Sequence, residues 1–376
     1  MKKLILLIFF APITIFGQST DVLFIGNSYT YSNNMPQMIS DIALSFGDTL
    51  DFESSTPGGA TFNGHSTNTT TLNKISQKPW DYIVLQAQSQ EPSFPPSQVA
   101  NDVYPYAQIL IDSIASNSSC TEPIFFMTWG RKYGDQQNCP FYPPICTYAG
   151  MQQRLRESYL DMTFNHNASC SPVGMAWKAS IELDSALNLY SPDNSHPSIY
   201  GSYLAACTFY SSLFKKPSLG SSFYGSIDSI TAISLQTIAS STVLDSIATW
   251  NIFNADFTVS QNNDSISCIN LSSNYENLIW DFGDGATSID ENPIHIYSGS
   301  GIYTITLTVF NNDGCFSDTI FSTITISAPA NINELSTTKK LLSITDILGR
   351  ETTMQLNTPL FYKYDDGTVE RKITID

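Results

Sequence analysis

The sequence predicts an α/β domain built on a parallel sheet, followed by an all-β Ig-like sandwich and a small C-terminal β module. Three observations support this prediction. Short apolar segments alternate with helical patterns as far as Trp250, strand and turn patterns alone follow from about Asn251, and short strand-like pieces close the chain. Strand–helix alternation is typical of a parallel sheet that helices cover on both faces.

The chain begins with the pattern of a signal peptide. Two lysines precede an apolar run from Leu4 to Phe16, and the small residue Gly17 follows it. The run is shorter than the roughly 18 apolar residues of a membrane span, and its flanks are those of a cleaved export signal. We expect residues 1–17 to be removed, leaving an exported mature chain without an integral membrane segment.

The composition bounds the domain count and the partners. Of 376 residues, 17 are basic and 34 acidic, a net charge of −17, while 42% are hydrophobic. The excess of acidic residues argues against binding to nucleic acid, which requires a basic face. The hydrophobic content argues against global disorder. At roughly 100–200 residues per domain we expect two or three domains. The predicted segments are a signal peptide at 1–17, an α/β domain at 18–250, a sandwich at 251–327 and a terminal module at 328–376.

The elements of the α/β domain follow in order. The predicted strands include the apolar runs DVLFIG, YIVLQ, PIFFMTW and PVGMAW, with one further strand before TPGGAT. Between the first two, apolar residues recur at helical spacing from Met35 to Phe46, and Gly47 follows as a candidate C-cap. In the later region ITLTVF alternates at period two between turn signals, which is typical of a sandwich strand.

Seven cysteines lie in a chain whose export permits disulfides. The candidate pairs are Cys139 with Cys146, Cys120 with Cys170, and Cys268 with Cys315. The first pair flanks a proline-rich loop, the second precedes two predicted strands, and the third falls in the β-rich region. Cys207 lies in an apolar helical pattern and is expected to be a buried free thiol. No spacing predicts a metal or cofactor site.

Candidate catalytic residues lie where predicted strands end. Ser28 follows the first strand in FIGNSYT, where ligands bind in open parallel sheets, and it is either a nucleophile or a turn serine. Far downstream, Asp193 and His196 are three residues apart in SPDNSHPS. That spacing lets a carboxylate fix the imidazole tautomer, so that His196 can take a proton from Ser28; the alternative is a capping aspartate beside a surface histidine.

Two further loops offer donors to an oxyanion. TPGGAT follows the second strand, and its glycines bring a bare N–H close to substrate. The third strand ends in LQAQSQ, where Gln86 and Gln88 are uncharged amide donors. Ordinary turn and loop polarity remain the alternatives.

FIGNSYT, TPGGAT, LQAQSQ and SPDNSHPS together resemble the four ordered blocks of the SGNH (GDSL-like) hydrolases. The resemblance implies a three-layer α/β/α, flavodoxin-like fold and a Ser–His–Asp esterase. It makes Ser28 the nucleophile, His196 the base and Asp193 its partner, with Ser28, Gly59 and Gln88 at the oxyanion. Gln88 stands where the family usually has asparagine. Gly58 is the alternative to Gly59 as the oxyanion glycine of the second block.

An insertion after the fourth strand, MTWGRKYGDQQNCPFYPPIC, carries several aromatic residues. Trp129 and Arg131 are expected to contact substrate, the aromatic residues forming a sugar-stacking wall, unless this is only a disulfide-closed surface loop. His65 is expected either to line the site or to lie at the surface.

Two resemblances extend to the rest of the chain. WDFGDG, NPIHIY and GIYTITLTVFN resemble a polycystic-kidney-disease (PKD) domain, in which Asp281 and Asp284 are expected to form a tight turn in preference to a calcium site. ITDILGRE and PLFYKYDDGTVERKITI, with Lys339 and Lys340, resemble the sorting domain of type IX secretion substrates; the alternative is a β module without an addressing role. This resemblance implies the type IX machinery as a partner and a secreted or cell-surface location.

These observations predict a secreted serine esterase that hydrolyses small, acetyl-like esters of a small molecule or polysaccharide without a cofactor. The alternative is a non-catalytic adhesion or glycan-binding protein that retains the hydrolase fold.

Overall fold

A computed structural model describes residues 17–311, 314–327 and 339–375. The predicted signal peptide, apart from Gly17, lies outside the described residues. Contacts divide the chain into two compact units, one ending at Ile326 and the other beginning at Ser327. Within the described ranges, no helix is long and apolar enough to cross a membrane.

A parallel sheet lies at the centre of the α/β part. Its strands are β1 (Ser19–Ile25), β2 (Thr49–Ser55), β3 (Tyr82–Leu85), β4 (Glu122–Phe126) and β5 (Ser169–Ser171). They are arranged in the order β2-β1-β3-β4-β5. This arrangement confirms the predicted parallel α/β class.

Helices cover both faces of this sheet. They are α1 (Ser28–Tyr31), α2 (Met35–Ser45), α3 (Phe62–Thr67), α4 (Thr69–Ile75), α5 (Pro96–Asp102), α6 (Tyr104–Asn117), α7 (Tyr148–Asn165), α8 (Val173–Leu183), α9 (Ile199–Phe214) and α10 (Ser229–Leu244). Along β1, Val22 and Phe24 pack with α2 and α9, whereas Leu23 and Ile25 pack with α6 and α7. Alternate side chains therefore enter two separate cores, as a doubly covered strand requires.

The prediction of a strand at PVGMAW is wrong. The strand ends earlier, at Ser171, and α8 begins at Val173. Ala176 and Trp177 are buried on α8, and Trp177 stacks on Trp129 with ring centroids 4.0 Å apart. The apolar run is therefore the buried face of a helix, which periodicity cannot distinguish from a buried strand over six residues.

The sandwich packs two antiparallel sheets around Trp280. In the described part of this region the strands are β6 (Phe257–Asn262), β7 (Ser265–Asn270), β8 (Asn277–Asp281), β9 (Thr287–Ser288), β10 (Ile294–Ile296), β11 (Gly301–Phe310) and β12 (Ser317–Ile326). The sheet orders are β10-β7-β6 and β12-β11-β8-β9. Asp281 accepts a hydrogen bond from the Gly283 amide and Asp284 from the Ala286 amide, so both carboxylates cap the turn as expected.

The terminal unit contains an antiparallel sheet. Its strands are β13 (Leu341–Thr345), β14 (Pro359–Tyr364) and β15 (Val369–Ile373), in that order. Leu360 and Tyr362 on the middle strand are its buried apolar residues within 339–375. So small a core agrees with the expectation from the sequence.

One of the three candidate disulfides is confirmed. Cys139 is bonded to Cys146, as predicted, but Cys120 is bonded to Cys315. Cys170, Cys207 and Cys268 are buried thiols. The confirmed bond closes the proline-rich insertion loop, and Cys207 matches its prediction.

The predicted pairs Cys120–Cys170 and Cys268–Cys315 are therefore wrong. Cys170 pairs in register with Phe125 of β4, five residues beyond Cys120, which is about 17 Å along a strand. Cys268 points into the sandwich core and is fully buried. The bond that forms joins the α/β part to the sandwich.

Candidate active site

The loop after β1 holds Ser28 at the start of α1. Asn27 caps this helix: its side-chain oxygen accepts from the Tyr29 amide at 3.1 Å, and its nitrogen donates to the Ala60 carbonyl at 3.0 Å. A Cβ on Gly26 would lie 2.5 Å from Thr30 Oγ1 and 2.6 Å from Gln86 Oε1, so only glycine fits there. As the first residue of a helix, Ser28 has an amide without an acceptor inside that helix.

The loop before α9 brings His196 and Asp193 to Ser28. His196 Nε2 lies 2.8 Å from Ser28 Oγ, and His196 Nδ1 lies 2.5 Å from Asp193 Oδ2. The other Asp193 oxygen accepts from the amides of Ser195 and His196, each at 3.0 Å. The spacing of three residues therefore becomes a capped turn that aims the imidazole at the serine.

Asp193 is held in its ionised form. Partial burial alone would raise the pKa of this carboxyl, but hydrogen bonds from the His196 ring and from the Ser195 and His196 amides outweigh it and lower the pKa below its usual range. A carboxylate beside Nδ1 keeps the proton on that nitrogen and leaves Nε2 free to accept one from the Ser28 hydroxyl.

Trp129 is buried, contrary to its prediction as a substrate-stacking residue. Its ring lies between Tyr29, with centroids 4.6 Å apart, and Trp177. The indole nitrogen donates to the Ser195 carbonyl at 3.0 Å. Trp129 thus supports the loop that carries Asp193 and His196. Tyr133 and Phe141 of the same insertion are exposed.

His65 is also buried, so neither expectation for it is correct. Its Nε2 donates to the Gly26 carbonyl at 2.8 Å and its Nδ1 accepts from the Thr71 hydroxyl at 2.9 Å. Burial lowers the pKa of His65, against the opposing effect of the Gly26 bond, so the ring is held neutral. His65 therefore fixes the loop that carries Ser28 and does not line the site.

The second block forms an exposed turn beside the nucleophile loop. Gly59 has φ of +70°, which favours glycine, and Gly58 is also exposed. The following residue, Ala60, is tied to Asn27 through its carbonyl. This contact places the turn next to Ser28.

The two glutamines after β3 have different environments. Gln86 is fully buried, and its side-chain oxygen accepts from the Asn27 amide at 2.8 Å and from Thr30 at 2.9 Å. Gln88 is half-buried, and its oxygen accepts from the amides of Gln90 at 2.7 Å and Glu91 at 3.2 Å. The Gln88 nitrogen donates to Ser89 Oγ at 3.3 Å, which leaves its second amide hydrogen for another acceptor.

Arg131 lies on the insertion segment that runs along the histidine loop. Its side chain is half-buried, and the nearest Asp135 oxygen is 3.6 Å from its Nη1 atom.

Among the functional residues, sequence reasoning missed the structural roles of Gln86, Asn27 and Tyr29. The sequence feature that could have identified them is a polar or aromatic side chain directly after a buried strand.

Comparisons with known proteins agree with this architecture. The family model for the PKD domain matches residues 253–326, so this segment is a PKD domain. Collagenase ColA from Bacillus cereus is 40% identical over 62 residues. That match spans 16% of this chain and 5% of the collagenase, so the chain covers a small fraction of that relative.

Solved structures resemble the α/β part. A DUF4886 family protein from Bacteroides uniformis has a TM-score of 0.52 and 17% identity, over 60% of this chain and 95% of its own. At that identity the match establishes a shared fold alone. A provisionally assigned SGNH hydrolase from Slackia heliotrinireducens has a TM-score of 0.43 and 23% identity, over 51% and 98%, a likeness too weak to carry an argument.

Proposed function

We propose that this chain is a serine ester hydrolase of the SGNH type, which acylates Ser28 with a small, acetyl-like group. One observation carries the proposal. An unbroken line of contacts runs from Ser28 Oγ through His196 Nε2, 2.8 Å away, to Asp193 Oδ2, 2.5 Å from His196 Nδ1. A nucleophile, base and orienting carboxylate in this order are the requirements for acyl transfer.

In the proposed acylation, His196 Nε2 takes the Ser28 proton as Oγ attacks the ester carbonyl carbon. The resulting oxyanion accepts hydrogen bonds from the Ser28 amide, the Gly59 amide and Gln88 Nε2. The tetrahedral intermediate collapses as the carbon–oxygen ester bond breaks, and His196 gives its proton to the departing alcohol. A water then attacks the acyl-serine with His196 again as base, releasing the acid and restoring Ser28.

The assay is hydrolysis of p-nitrophenyl acetate by the mature chain and by Ser28→Ala. Ser116→Ala, on the exposed end of α6, is the matched control. We expect turnover by the wild type and the control and loss of it in Ser28→Ala. Equal rates in all three, or no turnover by a folded wild type, would favour the non-catalytic alternative.

We further propose that the substrate is an ester on carbohydrate and that the protein acts outside the cell. The PKD domain and the similarity of 62 residues of this chain to a collagenase support an extracellular location. The N-terminal pattern and the terminal module support export by a signal peptide and the type IX machinery.

Deleting residues 328–376 in a type IX-competent host should block export beyond the periplasm and spare the esterase. Tailless protein in the medium or on the cell surface would contradict the sorting role.

A further inference from the structure

Arg131 lies on the segment beside the loop that carries His196, and its guanidinium makes an ion pair with Asp135 but no hydrogen bond within the described ranges. Two hydrogen bonds bracket this residue: Trp129 Nε1 donates to the Ser195 carbonyl and the Lys132 amide to the Asn194 carbonyl, each at 3.0 Å. The backbone at Arg131 is therefore fixed against the loop that carries His196. Burial raises the pKa of Tyr29, while its hydrogen bonds with Ser195 and Ser89 and, to a smaller extent, the charge of Arg131 oppose that rise.

Asp135 forms an ion pair with this guanidinium but no hydrogen bond. Its fully buried carboxylate accepts from Gln90 Nε2 at 2.7 Å, Asn138 Nδ2 at 2.7 Å and the Gln137 amide at 3.2 Å. The nearest Arg131 nitrogen is 3.6 Å away, beyond a hydrogen bond. Arg131 Nε is buried with no partner, and in the described ranges its side chain donates no hydrogen bond. Buried donors are usually satisfied, so the Arg131 guanidinium has hydrogen-bonding capacity beyond its ion pair with Asp135.

We propose that Arg131 binds a carboxylate on the substrate, so that the preferred ester is an acylated uronic acid and not an acylated neutral sugar. This inference rests on the proposed function. A planar carboxylate accepts two parallel hydrogen bonds from a guanidinium, and Arg131 makes no side-chain hydrogen bond of its own within the described ranges. The net charge of −17 disfavours the binding of anions in general, so a preference for an anionic substrate requires a local cation such as Arg131.

The test uses the mature chain and three mono-O-acetylated methyl glycosides: the glucoside, the glucuronoside and the glucoside 6-sulfate. The first two differ only in a hydroxymethyl group against a carboxylate. We expect kcat/KM for the glucuronoside to exceed that for the glucoside by roughly 10- to 100-fold, the effect of a charge-assisted contact. A preference for the sulfate over the carboxylate would overturn the assignment to a uronic acid.

Variants then locate the preference. In Arg131→Gln the ratio of the two kcat/KM values should fall to one or below, because the remaining field repels the anion. Arg131→Lys keeps the charge without the planar fork and should retain part of the ratio. Lys132→Gln is the matched control, since its ammonium instead contacts Asn188 Oδ1 at 3.2 Å, and it should keep the wild-type ratio. A ratio unchanged in folded Arg131→Gln would overturn the inference.

A binding measurement separates this inference from the proposed function. Methyl glucuronoside is titrated calorimetrically into Ser28→Ala and into Ser28→Ala with Arg131→Gln. Weaker binding by roughly 10-fold or more in the double variant supports the inference even if neither ester is hydrolysed. Equal binding contradicts it, as does hydrolysis of both wild-type substrates at equal kcat/KM, which would leave the esterase proposal standing.

Discussion

Asp193 uses its two oxygens for different tasks. Oδ1 accepts the Ser195 and His196 amides and so shapes the turn, whereas Oδ2 accepts the His196 ring proton. An asparagine would keep a side-chain oxygen for the turn. Its amide nitrogen, however, would face Nδ1 as a donor and favour the wrong tautomer.

Asp193→Asn should therefore lower kcat by about 10⁴, as the equivalent change does in another Ser–His–Asp enzyme, while the fold persists. Steady-state rates on p-nitrophenyl acetate together with circular dichroism check this expectation. A near-normal kcat would mean that another group orients His196.

Single residues of the site were predictable where their chemistry is local. The three-residue spacing of Asp193 and His196 can be found from sequence because the turn that joins them is short. The burial of Trp129 and His65 was not predictable, because residues distant in sequence cover each ring. Trp177 stacks on Trp129, and the Gly26 carbonyl contacts His65.

At the scale of elements, the end of β3 combines support and chemistry in alternate residues. Gln86 is fully buried and holds the loop that carries Ser28, while Gln88 is oriented by the backbone amides of Gln90 and Glu91. The sequence predicts amide donors here, but both residues follow the last residue of β3, and the contacts that each side chain makes determine their different roles.

Gln88→Ala should lower kcat by about 10²–10³ with little change in the thermal midpoint, because it removes one proposed oxyanion donor. Gln86→Ala should instead destabilise the fold by about 1–3 kcal/mol, since the Asn27 amide loses its buried acceptor. Parallel kinetics and thermal melts of both variants test this. The reverse pattern would move the oxyanion role to Gln86.

The turn that orients Gln88 also carries a titrating group. Burial, with a smaller contribution from the Asp102 charge, raises the pKa of Glu91 to about 7 from its ordinary 4.5. The folded chain therefore binds this proton more tightly than the unfolded chain, and stability falls as pH rises through the window from 4.5 to 7.

Glu91→Gln should consequently raise the free energy of unfolding at pH 8, by up to about 3 kcal/mol, and change it little at pH 4. Urea denaturation of both proteins at the two pH values measures the difference. A stabilisation that is the same at both pH values would contradict the assigned pKa.

At the scale of the whole molecule, the disulfide Cys120–Cys315 and the ion pair Lys215–Asp318, 2.9 Å long, join the α/β part to the sandwich. The disulfide spans 195 residues, whereas Cys139–Cys146 spans 7. Loop closure constrains the unfolded chain more when the loop is longer.

Replacing both Cys120 and Cys315 by serine should therefore lower the free energy of unfolding by about 5 kcal/mol, and the same change at Cys139 and Cys146 by about 2 kcal/mol. Guanidinium denaturation of the two double variants and the oxidised wild type provides the comparison. Equal losses would show that the long crosslink does not restrain the unfolded chain in this way.

The order of folds along the chain was predictable because each has its own local periodicity. The longer-range features were not. PVGMAW is too short for its period to separate strand from helix, and the Cys120–Cys315 bond depends on how the sandwich packs beside β4. The sequence carries no local signal for such packing.

The most direct test of the central claim is labelling by a fluorophosphonate probe, followed by mass-spectrometric mapping of the modified peptide. We expect one adduct, on Ser28, that forms in the wild type and in the exposed control Ser116→Ala, and forms far more slowly in His196→Ala, because the hydroxyl then lacks its base. An adduct on another serine, or none on folded protein, would contradict the proposed nucleophile.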